Sequence, residues 1–208
     1  MVCLMEVSLI DHMGSDLSVV NAARVSFGKR HSKFQEKDVK LINYLAKHNH
    51  KSPFNHAFAT FHVKAPVFVA RQLVKHEYMP WNEISRRYVD YEPEFYVPDN
   101  WRLKAENVKQ GSSRDTLKYS ITSALQFVAQ TYNNLLSVGV APEMARMVLP
   151  QNMMTEWYWS GSLFAFAKMC SLRLKEDTQE ETRLVAQPIN DSLSELYPVS
   201  WKALMENM

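Results

Sequence analysis

Helices and strands alternate along this chain without a break in composition, which predicts a single domain of mixed α and β structure covering residues 1–208. Two observations carry that expectation. Three short stretches rich in β-branched and aromatic residues read as strands, at Val2–Ile10, Ala57–Val63 and Met153–Ser160. Between and after them, apolar residues recur at helical spacing over much longer runs. No internal repeat, linker or low-complexity segment divides the pattern, and a chain that is 46% hydrophobic and 22% charged has the length and apolar content for one sizeable core.

The elements follow in order. After the first strand, Asp11–Ser18 is polar and holds Gly14, a turn or a helix start. Asn21–Phe27 reads as a short helix ending near Gly28, and Lys29–Lys33 as a basic loop. Val39, Ile42, Leu45 and Ala46 place a surface helix at Asp38–His48. The Ala57–Val63 strand leads into a helix at Pro66, with His62 on a strand face. Val89–Trp101, with Pro93 and Pro98, is a loop packed on the surface or a mobile lid, and Lys104–Ser113 is polar and exposed. Thr116–Val138 carries the longest apolar stripe, a helix of about six turns capped by Gly139, long enough for a packing spine or a subunit contact. Helices follow at Pro142–Val148, Leu163–Leu174, Thr178–Leu196 despite Pro188, and Pro198–Met205.

Composition bounds the function. A net charge of +2 argues against a nucleic-acid footprint but permits a local basic pocket for a small anion. No apolar run approaches the ~20 residues of a membrane helix and the N-terminus lacks a signal-peptide layout, so a cytoplasmic protein is expected. Cys3 and Cys170 are far apart and read as reduced, packed thiols. His48, His50 and His56 cluster in HNHKSPFNH, but without a Cys and with Pro53 among them they match no zinc spacing, so no metal is expected.

The densest chemistry lies in Phe68–Tyr88, FVARQLVKHEYMPWNEISRRY. Its apolar Phe68, Val69, Leu73 and Val74 fit an amphipathic helix with Arg71, Gln72, Lys75 and His76 on or near the other face, stopped by Pro80. Asn82, Glu83, Ser85, Arg86 and Arg87 follow, interleaved with aromatics, so the segment is half buried and its charges need partners. Arginine forks suit phosphate, and Gln and Ser suit a base edge or sugar.

This stretch resembles the signature of flavin-dependent thymidylate synthases, a run Arg-His-Arg, seven residues, then Ser, within a pattern ending Asn-Glu-x-Ser-x-Arg-Tyr. It stands here as Lys75-His76-Glu77, seven residues, Ser85, with Asn82–Tyr88 matching throughout, and FHVKAPVFVARQ upstream is also similar. Lys75 alters the triplet conservatively and Glu77 reverses a charge. HNHKSPFNH resembles the family's His-x-Thr-Pro-Phe-Glu-His element, with Ser52 keeping the hydroxyl and Asn55 replacing the acid. Ala23–Ser26 resembles its Ala-Arg-Val-Ser element, where Ser26 either approaches the flavin or caps backbone groups. Gln179 and Glu181 match a Gln-x-Glu pattern, while Ser162, Phe164, Lys168 and Asp177 stand where the family has Asn, Arg, Asn and His.

The resemblance implies an α+β fold, a mixed sheet flanked by helices with a long central helix, assembling as a homotetramer with sites shared between subunits. It implies conversion of dUMP to dTMP with FAD as cofactor and methylenetetrahydrofolate and NADPH as co-substrates. Without a Gly-x-Gly-x-x-Gly or Walker motif, the flavin expectation rests on the resemblance alone. For dUMP it points to Gln72, Glu83, Ser85, Arg86 and Arg87, with Arg146 on the phosphate. Arg173, 27 residues after Arg146, is the expected catalytic group, stabilising negative charge on the pyrimidine; a salt bridge to Glu176 or Asp177 is its plain alternative. For FAD it points to Ser26, His50 and Ser52, to Lys75, His76, Glu77 and Glu83, and to Ser162 and Lys168. Two further readings remain: the same chemistry on another pyrimidine nucleotide such as UMP, or a catalytically silent nucleotide-binding homologue.

Overall fold

The computed structural model describes residues 4–89, 91–106 and 111–208. Cys3 and residues 107–110 of the stretch expected to be polar and exposed lie outside the described residues. A four-stranded sheet runs in the order β1-β2-β6-β3, with β1 at Glu6–Met13, β2 at Phe58–Pro66, β3 at Trp81–Glu83 and β6 at Met154–Ser162. Every ladder in it is antiparallel, where a mixed sheet was expected. The physical reason is visible in β2, where Ala59, Phe61, Val63 and Ala65 are buried while Thr60, His62 and Lys64 alternate with them on a half-exposed face. A sheet covered on one side only is the antiparallel arrangement.

The covered face packs against helices α3 (Val67–Leu73), α6 (Leu163–Arg173) and α7 (Glu180–Leu196), and α1 (Asp16–Arg24), α2 (Glu36–Lys47) and α8 (Pro198–Met205) complete the same core, α8 packing on α2, α6 and α7. Trp81 stacks on Trp157 at 4.4 Å, and Trp159 meets Phe166 edge-on at 5.5 Å, which locks β3 and α6 to β6. Gly161 lies beneath Met79 and Phe166, where a Cβ would approach Met79 Cε to 3.0 Å. Asp16 ties the two ends of the chain: its carboxylate accepts from the amides of Val199 and Ser200 at 3.0 and 2.8 Å, capping α8.

Two expected helices differ. The Phe68 helix stops at Leu73 rather than running towards Pro80, and Tyr78 takes a left-handed φ of 60°, so Lys75 and His76 lie beyond the helix. The start of the long Thr116 helix belongs to a hairpin, β4 (Trp101–Lys104) with β5 (Ser112–Leu117), leaving α4 as Thr122–Ser137. SSRDTL has no apolar alternation, so this strand carries no periodic signal. Nor is α4 central: it packs chiefly on α5 (Pro142–Ala145) and the 3-10 turn Arg146–Val148, and buries only Tyr132. Among the described residues its apolar stripe is only partly covered, with Leu125, Val128, Leu135 and Leu136 half-buried.

Candidate active site

Two concavities border the segment that follows β2. The larger, of about 760 Å³, is walled by Lys75–Tyr78, from the middle of the Phe68–Tyr88 stretch, and by α6. On α6, Phe164, Lys168 and Leu172 follow one another at intervals of four and line one face of it. Lys75, His76, Glu77, Ser162, Lys168 and Arg173 meet there, so six of the expected residues share one cavity. Glu77, the reversed charge, lines this cavity together with four cations, Lys75, Lys168, Arg173 and Lys51. Sequence reasoning missed Lys51, whose ammonium lies 5.4 Å from the centroid of the Phe164 ring; its place between His50 and Ser52 was the available signal.

Arg173 takes neither of its plain partners. Its Nε–H donates to His76 Nε2 at 3.0 Å and an Nη2–H to the Gln72 carbonyl at 3.1 Å. His76 Nε2 is therefore an acceptor, which puts the ring proton on Nδ1 and requires the neutral imidazole. Burial, then the charges of Arg173 and Lys168, lower the His76 pKa from 6.5 to about 4, in keeping with that tautomer. Burial also lowers the Arg173 pKa, a guanidinium held without a carboxylate. Ser162 caps α6, accepting from the Ala165 amide at 3.2 Å while its hydroxyl donates to Asn55 Oδ1 at 2.7 Å.

The second concavity, about 360 Å³, is assembled from α3, from the segment after β3 and from the turn after α5. It brings Glu83, Arg86 and Arg146 together from separated parts of the chain and adds Arg71. Glu83 contacts no arginine: its Oε1 accepts from the Thr155 hydroxyl at 2.7 Å and its Oε2 from the Trp81 indole at 3.0 Å. Arg86, 6% exposed, donates to the Tyr91 carbonyl and lies 4.5 Å over the Tyr91 ring. Arg146 donates to the Glu143 carbonyl at 3.3 Å and is exposed.

The remaining expected residues line neither cavity of the protomer. Gln72 turns to α7, its amide donating to Gln179 at 2.6 Å and accepting from Thr182 at 3.1 Å. Arg87 donates to its neighbour Ser85 at 3.2 Å on the surface. Ser26 is exposed on the 3-10 turn after α1 and makes no cap, Ser52 is exposed, and His50 borders a separate small cavity. His48 and His50 flank Tyr44, at 4.2 and 6.0 Å between ring centroids. Among the described residues no three His, Cys, Asp or Glu side chains form a metal-sized group.

A network that the sequence did not reveal ties the hairpin to α7. Arg102 of β4 grips Glu181 with Nη2 2.7 Å from each carboxylate oxygen, and the Tyr96 hydroxyl donates to Glu181 at 3.3 Å. Burial raises the Glu181 pKa, but Arg102 outweighs it and holds the carboxyl below its ordinary value. Glu181, Thr182 and Gln179 lie together at the start of α7, so the clamp that holds the hairpin also steadies Gln72 and, through its carbonyl, Arg173.

Comparison with known proteins bears on this geometry. The family model described as thymidylate synthase complementing protein matches residues 8–199. A flavin-dependent thymidylate synthase from Thermus thermophilus is 43% identical over 206 residues, covering 97% of this chain and 76% of the relative. One from Thermosipho africanus is 40% identical over 205 residues, covering 95% and 90%. Among solved structures, a UMP/dUMP methylase, PolB, from Streptomyces cacaoi bound with 5-Br dUMP superposes with a TM-score of 0.87 at 31% identity, covering 99% of this chain and 96% of that one.

Proposed function

This chain belongs to the thymidylate synthase complementing protein family, the flavin-dependent thymidylate synthases, and on that premise we propose that it methylates dUMP reductively to dTMP, with FAD held in the larger cavity and dUMP in the smaller. The observation that carries the reading is the pairing of the two cavities. One surrounds three guanidiniums with a single hydrogen-bonded carboxylate; the other sets four cations among apolar and aromatic walls, next to a neutral imidazole.

The residues present fit a flavin dinucleotide. A cavity of about 760 Å³ has room for a large cofactor, its cations suit a diphosphate, and Phe164 and Tyr78 offer apolar surface to a flat ring. Lys51, Lys75 and Lys168 would hold it, with Ser162 at its edge. When bound, it supplies the redox equivalents that no side chain of this protein carries; methylenetetrahydrofolate provides the carbon and NADPH the reductant.

The chain's own residues bind and polarise. Arg146 and Arg86 stand beside a cleft suited to the nucleotide phosphate, and Glu83, fixed by Thr155 and Trp81, is an oriented acceptor for a ribose or base donor. Arg173 lines the larger cavity rather than the nucleotide cleft and is held by neutral acceptors only, so its charge is available to a developing pyrimidine anion where the base reaches that cavity across a subunit boundary. His76 keeps its Nδ1 proton as a donor.

A homotetramer with sites completed across subunit boundaries belongs to the same proposal. Phe127 on α4 is 71% exposed, and Gln72, Arg87 and Arg146 share no cavity within one protomer. Among the described residues no helix is long and apolar enough to cross a membrane, and a cytoplasmic location is part of the proposal.

The test is reconstitution. Purified chain with FAD, methylenetetrahydrofolate and NADPH should form dTMP from dUMP, read by chromatography, with UMP in a parallel arm. Arg173→Ala should cut turnover by about 100-fold, the size of a lost anion-stabilising donor, at an unchanged elution volume. NADPH oxidation indifferent to dUMP would end the proposal.

A further inference from the structure

Arg71 is used by none of the roles above, yet α3 presents it to the smaller cleft. Its side chain is exposed, and among the described residues no carboxylate pairs with it. The charge balance of that cleft gives it meaning. Arg71, Arg86 and Arg146 face one carboxylate, Glu83, whose two oxygens are already occupied by the Thr155 hydroxyl and the Trp81 indole. Arg86 is held by the Tyr91 carbonyl with its guanidinium carbon 4.5 Å from the centroid of the Tyr91 ring, so it serves as a fixed wall rather than a moving clamp. Arg146 lies on the turn after α5 and Arg71 on the last turn of α3, and these two exposed forks are free to close on a ligand.

The cleft thus carries an excess of two positive charges in a space of about 360 Å³ that Ile84, Met147 and Met154 make partly apolar. A phosphate monoester has a charge of about −2 at neutral pH and three acceptor oxygens, which match two planar guanidinium forks and a third fixed charge. We propose that Arg71 is a phosphate-binding residue, gripping with Arg146 the 5′-phosphate of the nucleotide substrate while Arg86 sets the wall behind it. The proposal rests on the nucleotide reading above and adds to it the group that distinguishes nucleotide from nucleoside.

A cation on the last turn of α3 also favours that helix end electrostatically, and this structural role makes a different prediction. It would lower stability without altering the preference for a phosphorylated ligand. The experiment uses the full chain loaded with FAD and measures dUMP and deoxyuridine binding by calorimetry. Wild-type protein should prefer dUMP. Arg71→Ala should weaken dUMP binding by about 10- to 100-fold, as expected for a lost charge-assisted contact, and deoxyuridine binding by less than about two-fold. Arg71→Lys, which keeps the charge and loses the fork, should recover part of the preference. If wild type prefers dUMP and Arg71→Ala retains that preference, or loses both ligands in equal measure, the role of Arg71 is wrong while the nucleotide reading stands. If wild type shows no preference for dUMP, both fall together.

Discussion

Lowering the pH from 7 to 5 places a proton on His76 in the unfolded chain but not in the folded one. In the folded protein, burial and then the charges of Arg173 and Lys168 lower its pKa from 6.5 to about 4, and its Nε2 lone pair accepts from Arg173. Above pH ~6.5 both states are neutral at this residue and it contributes no pH dependence. Between ~6.5 and ~4 the unfolded state binds more protons, so stability falls as pH falls through that window. The drop from 6.5 to about 4 corresponds in full to ~3 kcal/mol, and because the ring is only half buried ~1–2 kcal/mol is expected to survive solvent screening. At pH 5 this leaves ~1 kcal/mol. Urea unfolding at both pH values, on wild type and on His76→Gln, isolates it, since the amide oxygen can still accept from Arg173 but does not titrate. Wild type should lose ~1 kcal/mol more than the variant between pH 7 and 5. Equal losses in the two proteins, or a His76 ring that titrates near 6.5 by NMR in the folded protein, would refute the reasoning.

Two further predictions concern the scaffold. Arg102→Ala leaves the Glu181 carboxylate, 3% exposed, without its bidentate partner and should cost about 2–4 kcal/mol in denaturant unfolding; a change below ~0.5 kcal/mol would show the pair to be dispensable. Because Arg102 holds the Glu181 pKa down, wild type should also lose stability as pH falls through the acid range, and Arg102→Ala should lose less. Gly161→Ala drives a methyl to 3.0 Å from Met79 Cε and 3.2 Å from Phe166 Cε2, and a loss of about 1–3 kcal/mol in thermal unfolding is expected; a neutral result would mean that Met79 swings aside.

Periodicity was sufficient for most of the scaffold. The strand leading into Pro66, the helix beginning at Leu163 and the last helix, Pro198–Met205, carry alternating or helical apolar patterns, and α7 runs through Pro188 as expected. The hairpin at Trp101–Leu117 was not legible, because SSRDTL has no burial pattern and its anchor, Arg102 on Glu181, joins residues 79 positions apart. Part of the candidate site was legible as residue types that come together: Lys75, His76, Glu77, Ser162, Lys168 and Arg173 share a cavity, and Glu83, Arg86 and Arg146 share another. Gln72, by contrast, spends its amide on α7, and Ser85 and Arg87 bond each other at the surface.

The sequence by itself determined the inventory: a charged signature with a reversed Glu77, two late arginines, and one domain's worth of apolar pattern. Only the tertiary structure decided where each charge is used. Stopping α3 at Leu73 leaves Arg71 on the helix beside one cavity and His76 beyond it in the other, although the two lie five positions apart. Local spacing fixes which side chains share a helix face, but which wall that face meets, and whether a charge finds a carboxylate or an open cleft, depends on contacts between residues distant in the chain.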